Sequence, residues 1–317
     1  MEATAFSHIP VMPDQCMEAL AIRPDGLYVD ATLGAGGHAR RIAEQLRGGK
    51  LIGIDKDPQA LARAAGRLAD YQGTIQLLLL RGDYRDMDKL LAAQGIHQVD
   101  GILFDCGVSS PQFDDPSRGF SYRFPDAPLD MRMDPDAPLS AYDIVNGWPA
   151  EKLKAILHDY GEEVHASLIT AAIEKKRSHT PILTTGQLAS IVVSALPPAA
   201  RRGKGHPAKR SFQAIRVAVN DELAGLKTGL VIAIGLLSPG GRLVAISFHS
   251  GEDRIVKTVL RDAATGCNCP PDFPVCVCGK TPTIKPVYRK HLAPNEDELA
   301  HNRRAKGAKL RAAEKIV

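Results

Sequence analysis

Cysteine is scarce and unevenly placed in this chain of 317 residues: Cys16 and Cys106 stand alone, and four others gather late. Six such residues cannot frame a disulfide scaffold, and the expected setting is a reducing cytoplasm. Long apolar runs are also missing. The stretch 229–237 is nine residues long, far below the about 20 that a bilayer span needs. The opening residues, MEATAFSHIPVMPDQC, show no basic segment followed by an apolar one, so neither a secretory signal nor a membrane partner is expected. Internal repeats and low-complexity tracts are absent, which excludes solenoids and fibrous chains. One region lacks acid altogether. Between Lys175 and Asn220 there is no Asp or Glu, while Lys175, Lys176, Arg177, Arg201, Arg202, Lys204, Lys209, Arg210 and Arg216 supply nine cations. The whole chain is only +4, so the remainder is net acidic. A basic face on an acidic body points to a polyanionic partner.

The composition, 44% hydrophobic and 24% charged, is that of an ordinary globular protein with a sizeable core. The length suggests two domains, or one with a large insertion. The first hundred residues alternate short apolar runs with helical patterns. Strands are predicted over 27–31, 51–54, 75–80 and 99–104, and helices over 38–47, from Asp57-Pro58 onward, and over 86–94. That rhythm argues for α/β architecture, a doubly wound Rossmann-like parallel sheet. It breaks in a Gly-, Pro-, Ser- and Asp-rich stretch, 106–138, followed by helical patterns over 150–160, 164–176 and 185–196 and a long one starting at Lys209. A strand pattern returns at 242–248, and Ser250 to Asp253 reads as the capping box of one more helix. The expected organisation is a first core segment, 1–112, a mostly helical insertion, 113–210, and a second core segment, 211–317, with a basic tail.

The loop Asp30-Ala31-Thr32-Leu33-Gly34-Ala35-Gly36-Gly37-His38 joins the first strand to the first helix. Its glycines fit a dinucleotide turn, but Asp30 would repel a pyrophosphate there. S-adenosylmethionine carries an ammonium and a sulfonium that suit Asp30, and a carboxylate that suits helix amides. Asp55, closing the second strand, is placed to accept from ribose hydroxyls, and Tyr84 stands where an adenine ring could pack. The fourth strand ends in Asp105, followed by Ser109 and Ser110. An exocyclic amine needs acceptors of this kind to hold its N–H groups while nitrogen becomes tetrahedral.

These stretches together resemble the bacterial small-subunit ribosomal RNA cytosine-N4 methyltransferase family, the MraW type. The matching segments are HIPVM at 8–12, RPDGLYVDATLGAGGHAR at 23–40, GIDKDPQAL at 53–61, GILFDCGVSSPQFDDPSRGFSYR at 101–123, PLDMRMD at 128–134, HPAKRSFQAIRVAVNDEL at 206–223, GGRLVAISFHSGEDRIVK at 240–257 and CNCPPDFPVCVCGK at 267–280. The resemblance implies a class I methyltransferase fold using S-adenosylmethionine, with cofactor contacts at Gly36, Gly37, His38, Asp55, Tyr84, Asp105 and Gln112. It implies that the helical insertion recognises substrate, and that the target is a cytidine in the decoding region of small-subunit ribosomal RNA. Cys106 departs from the family's usual Leu, and Phe113 often differs.

A cytosine amine is inaccessible in a stacked helix, so the target must be flipped out or unpaired. Arg201, Arg202, Lys204, Lys209 and Arg210 are the leading phosphate contacts. Phe248 is proposed as a stacking surface and His249 as a polar contact or proton acceptor, with core packing and helix capping as the rival roles. Cys267, Cys269, Cys276 and Cys278 form two C-x-C pairs six residues apart. Four thiolates can hold tetrahedral zinc, but C-x-x-C is the usual knuckle, so no metal is assigned. A DNA amino-methyltransferase is disfavoured by the absence of an (Asp/Asn/Ser)-Pro-Pro-(Tyr/Phe) tetrad after the fourth strand. A nicotinamide enzyme is disfavoured by Asp30. An RNA-binding assembly factor without turnover is separable by replacing Asp105.

Overall fold

The structure is a computed structural model describing residues 10–202, 205–267, 269, 275 and 278–316. Lys204 and Cys276 lie outside the described residues. The chain divides into two compact units, Met1–Gly107 with Leu223–Val317, and Val108–Glu222. The first unit begins with α1 (Pro13–Leu20), β1 (Leu27–Asp30), α2 (Gly37–Ala43), β2 (Lys50–Asp55), α3 (Pro58–Arg67), β3 (Gln76–Arg81), α4 (Met87–Ala92) and β4 (Val99–Asp105). The second holds α5 (Ser110–Asp114), α6 (Ala141–Gly147), α7 (Ala150–Asp159), α8 (Ala166–Arg177), α9 (Thr185–Ala195), α10 (Pro198–Arg201) and α11 (Lys209–Asn220). The chain then returns through α12 (Glu222–Leu236), β5 (Leu237–Ser247), α13 (Ser250–Ala264), β6 (Ile284–Pro286), α14 (Glu296–His301) and β7 (Lys309–Lys315).

The sheet order is β3-β2-β1-β4-β5-β7-β6. The first five strands pair in parallel, and β7 runs antiparallel to both neighbours. Side chains alternate across it as a pleat requires. Tyr28, Leu103, Val244, Ile246 and Leu310 join one apolar core with α1, α2 and Ala64 of α3. Val29, Ile102, Phe104, Leu243 and Ala313 join another with α4, α12 and α13. Strand order reverses at β1, between β2 and β4, so the carboxyl ends of these strands form the crevice where such sheets bind ligands. Asp30, Asp55 and Asp105 are the last residues of β1, β2 and β4.

The second unit has its own core. Leu153, Leu157, Ile169, Leu188, Phe212 and Ile215 bring α7, α8, α9 and α11 together. Two sequence stretches distant along the chain meet there. Asn220 at the end of α11 accepts from Met133 N at 2.7 Å and donates to Met131 O at 2.8 Å, fixing a loop in which Met131 has φ 58°. Arg132 forks onto Asp130, with contacts of 3.1 and 2.6 Å.

Several elements differ from the sequence expectation. The insertion spans 108–222 rather than 113–210, because the apolar face of α11 packs within the helical core. The long helix expected from Lys209 is two helices, broken at Asp221, which takes φ 48°. Strand β5 starts at Leu237, paired with Val99; pairing then skips 238–241 and resumes at Arg242 opposite Gly101. The cap of α13 is His249, one residue before the predicted Ser250. The basic tail contributes strands β6 and β7, and several of its cations are engaged within the fold. Lys309 and Arg311 meet Asp253 at 3.0 and 2.8 Å, Lys285 meets Glu314 at 2.8 Å, and Lys315 donates to Ile234 O at 3.0 Å.

Candidate active site

The turn after β1 is built for close approach. Gly34 and Gly36 have φ of 51° and 76°, a region that favours glycine. A Cβ on Gly36 would lie 3.2 Å from Ala64 Cα and Cβ, so α3 would have to give way by a few tenths of an ångström to admit a side chain. Asp55 braces the turn, accepting from Gly34 N at 2.8 Å and from Asp57 N at 2.9 Å. Burial raises its pKa to about 6, against the pull of those two amides. The amides opening α2 have no intrahelical acceptor and face an anion naturally.

Asp30 is 1% exposed. Its Oδ1 accepts a single backbone bond, from Thr32 N at 3.2 Å. Burial raises its pKa to about 7, while His38 and that amide oppose the shift. A carboxylate this short of donors favours a cationic ligand. Thr32 also ties β1 to β4, since its Oγ1 accepts from Asp105 N at 2.6 Å.

His38 sits in the first turn of α2 and is buried. One ring nitrogen lies 2.9 Å from Val11 O, and the other 3.4 Å from Asp105 Oδ2. Burial works against a charge on the ring, and the neighbouring Asp105 carboxylate opposes it, raising the pKa. Burial also pushes the Cys16 thiol up, so Cys16 stays protonated and Asp105 is the partner that matters. Asp105 is thereby oriented: one oxygen faces His38, and the buried Oδ1 has no hydrogen-bond partner among the described residues. Both ring nitrogens of His38 are engaged inside the fold, so its backbone amide is the group it offers a ligand.

Tyr84 is half-buried. Its ring meets Phe104 edge-on at 5.6 Å, Lys56 Nζ is 6.0 Å from the ring centre, and a Cβ on Gly229 would be 2.6 Å from Tyr84 Cδ2. The ring is therefore fixed from the α12 side. Beyond β5, Phe248 is half-buried against the core that holds α1 and α2. Glu252 accepts from Phe248 N at 2.7 Å and His249 N at 3.2 Å, and its own amide points at His249 Nδ1 at 3.4 Å. His249 thus caps α13. Its Nε2 lies 3.1 Å from Glu252 Oε1 but has no hydrogen-bond partner among the described residues.

In the second unit, Ser109 and Gln112 form the capping box of α5, with Ser109 N donating to Gln112 Oε1 at 3.1 Å. Ser110 and Gln112 are buried. Arg201 donates to Leu196 O at 2.8 Å and Ser194 O at 2.9 Å, closing the end of α9. Arg210 donates to Glu162 O at 3.2 Å. Arg202 and Lys209 are exposed. The structure thus gathers Gly36, Gly37, His38, Asp55, Tyr84 and Asp105 around the carboxyl ends of the parallel strands. Sequence reasoning left Cys16, Thr32 and Glu252 out of the site. Contacts distant along the chain reveal Cys16 and Thr32, and Glu252 shows only through the cap it forms with Phe248 and His249.

This sheet order with an antiparallel seventh strand, a glycine turn after β1 and acids closing β1, β2 and β4 defines a class I methyltransferase core. The MraW methylase family model matches residues 5–316, and the chain belongs to that family. A protein of Brevibacillus brevis is 49% identical over 100% of both chains, and one of Heliobacterium modesticaldum is 50% identical over 98% of this chain and 99% of its own. Both bear the name ribosomal RNA small subunit methyltransferase H. A solved rRNA methylase from Streptococcus thermophilus has a TM-score of 0.40 and 12% identity, covering 96% of this chain and 94% of that one, a likeness too slight to reason from.

Proposed function

We propose that this chain is an S-adenosylmethionine-dependent methyltransferase acting on the exocyclic N4 amine of a cytidine in the decoding region of small-subunit ribosomal RNA. The observation that carries the reading is Asp105 Oδ1, a buried acceptor without a partner among the described residues, at the end of the strand beside Asp30. The residues present fit the cofactor. Asp30 suits its cationic groups, the amides opening α2 its carboxylate, Asp55 its ribose hydroxyls and Tyr84 its adenine. When bound, S-adenosylmethionine supplies an electrophilic methyl group on a sulfonium.

Asp105 then accepts an N–H of the target amine, drawing its lone pair out of conjugation with the base. His38 acts as a positioning residue for Asp105. Ser109 and Ser110, four and five residues on, are proposed as further acceptors from their place in the sequence. No strong base is required, because the methylated amine is acidic, and His249 is given the capping role rather than that of a base. On the substrate side, Lys204, Lys209, Arg202 and Arg210 are proposed to follow phosphates and Phe248 to support the unstacked base. The setting is proposed to be cytoplasmic and the substrate the small-subunit particle; among the described residues no helix is long and apolar enough to cross a membrane.

The test is nucleoside mass spectrometry of ribosomal RNA from cells with and without the gene, then transfer of labelled methyl by purified protein to particles, naked ribosomal RNA and duplex DNA. An N4-methylcytidine signal that vanishes with the gene and returns on transfer to particles is expected. An unchanged nucleoside profile overturns the reading.

A further inference from the structure

We propose that Cys267, Cys269 and Cys278 form a thiolate site for one zinc ion, remote in sequence from the glycine turn and serving structure rather than catalysis. Thiols without a redox or metal role are usually buried, as Cys16 and Cys106 are here. Cys267 and Cys278 are instead exposed and Cys269 half-exposed, yet their three sulfurs all lie within 4.8 Å of one another. Packing does not account for polarizable groups converging in solvent.

The spacing between them fits a metal. The sulfurs of Cys278 and Cys267 are 3.7 Å apart. A disulfide would hold them at about 2.05 Å. Zinc–sulfur bonds of about 2.3 Å in a tetrahedron set the sulfur–sulfur edge at about 3.8 Å. The Cys267–Cys278 pair therefore stands at the separation that a shared tetrahedral ion imposes, with the Cys269 sulfur within 4.8 Å of both. Cys269 N donates to Cys267 Sγ at 3.3 Å, which favours the thiolate over the thiol. Gly279, directly after Cys278, has φ 61°, a turn that L side chains disfavour and that lets the chain double back behind the ligand.

The segment's ends support a clip. After α13 the chain leaves and returns at one point, where Thr283 N donates to Ala263 O at 3.0 Å and Gly266 lies against Pro282. One ion is enough to close such an excursion at low entropic cost. Cys276, two residues before Cys278 in the sequence, lies outside the described residues.

The experiment is elemental analysis of the full-length protein purified under reducing conditions, followed by titration of stripped, reduced protein with Zn²⁺ and with Co²⁺ as the spectroscopic probe. About one zinc per chain is expected, with thiolate-to-cobalt charge-transfer bands and proton release on binding. In Cys267→Ser/Cys278→Ser the zinc content is expected to fall to a trace and the charge-transfer bands to disappear, with far-UV circular dichroism retained. Wild-type protein that takes up neither ion overturns the proposal, as does a double variant with undiminished zinc. The wild-type titration decides the matter even if the double variant misfolds. So does mass spectrometry: disulfides among these cysteines in freshly isolated protein would overturn it.

Discussion

Asp30→Asn separates what the site costs the fold from what it gains on binding. In the fold the pKa of Asp30 rises from 3.8 to about 7, chiefly through burial. Between those values the folded chain holds a proton that the unfolded chain has released. Stability therefore falls as pH rises from about 4 to about 7, and above that the full penalty applies. Three pKa units correspond to about 4 kcal/mol, an upper bound for the ligand-free protein. Asn keeps the oxygen that accepts from Thr32 N and removes the charge. Ligand-free Asp30→Asn is thus expected to melt higher than wild type at about pH 8, by about 2–4 °C for each kcal/mol recovered. Binding moves the other way. A cationic cofactor requires the ionised form, so wild-type affinity should fall about tenfold per pH unit below about 7. The variant should bind about 10–100-fold more weakly at alkaline pH and respond less to pH. Thermal melts with and without S-adenosylmethionine, together with calorimetry across that range, measure both effects. A variant less stable than wild type under alkaline conditions, with unchanged cofactor affinity, would refute the reasoning.

Four further outcomes are expected. Asp105→Ala should lower methyl transfer by about a hundredfold or more with cofactor-free folding preserved; full activity would remove Asp105 from the chemistry. Gly36→Ala forces a side chain into φ 76° and against Ala64, and should cost about 1–2 kcal/mol of stability and weaken cofactor binding. Equal melting and affinity would show that the turn tolerates a Cβ. Lys209→Ala should reduce the salt dependence of RNA binding by about one unit of log-log slope without altering stability. Arg201→Ala should instead lower the melting temperature, because its guanidinium closes the end of α9; the reverse pattern would exchange the two roles.

What could be read from the sequence follows from how local each signal is. The βα alternation, the glycine turn and the acids at strand ends rest on neighbours along the chain, and each stands where the pattern put it. The tail is opaque because β7 carries Lys309, Arg311, Glu314 and Lys315 in place of an apolar run, and is defined by β5 and β6 on either side. The break at Asp221 was hidden because the apolar positions continue in step across it, and one left-handed residue leaves no mark in the pattern. Charge counting alone does not show that Arg201 and Arg216 also make contacts within the fold. The basic block marks a surface by composition, but a guanidinium closing a helix or forked onto Glu222 at 2.8 and 2.9 Å is committed to the fold. Asp105 was legible as a strand-end acid. Its orientation by His38 depends on α2 and β4 meeting in space.

The placement of β7 has a consequence for how the molecule comes into being. The strand late in the chain, residues 309–315, is inserted between two others instead of lying at a rim. During synthesis, β5 emerges with an unsatisfied margin that nothing earlier in the chain can cover. A protein proposed to modify ribosomes would therefore keep its sheet open until residues 309–315 have been made, and a nascent chain stalled before that strand would expose a sticky edge to chaperones or to other chains.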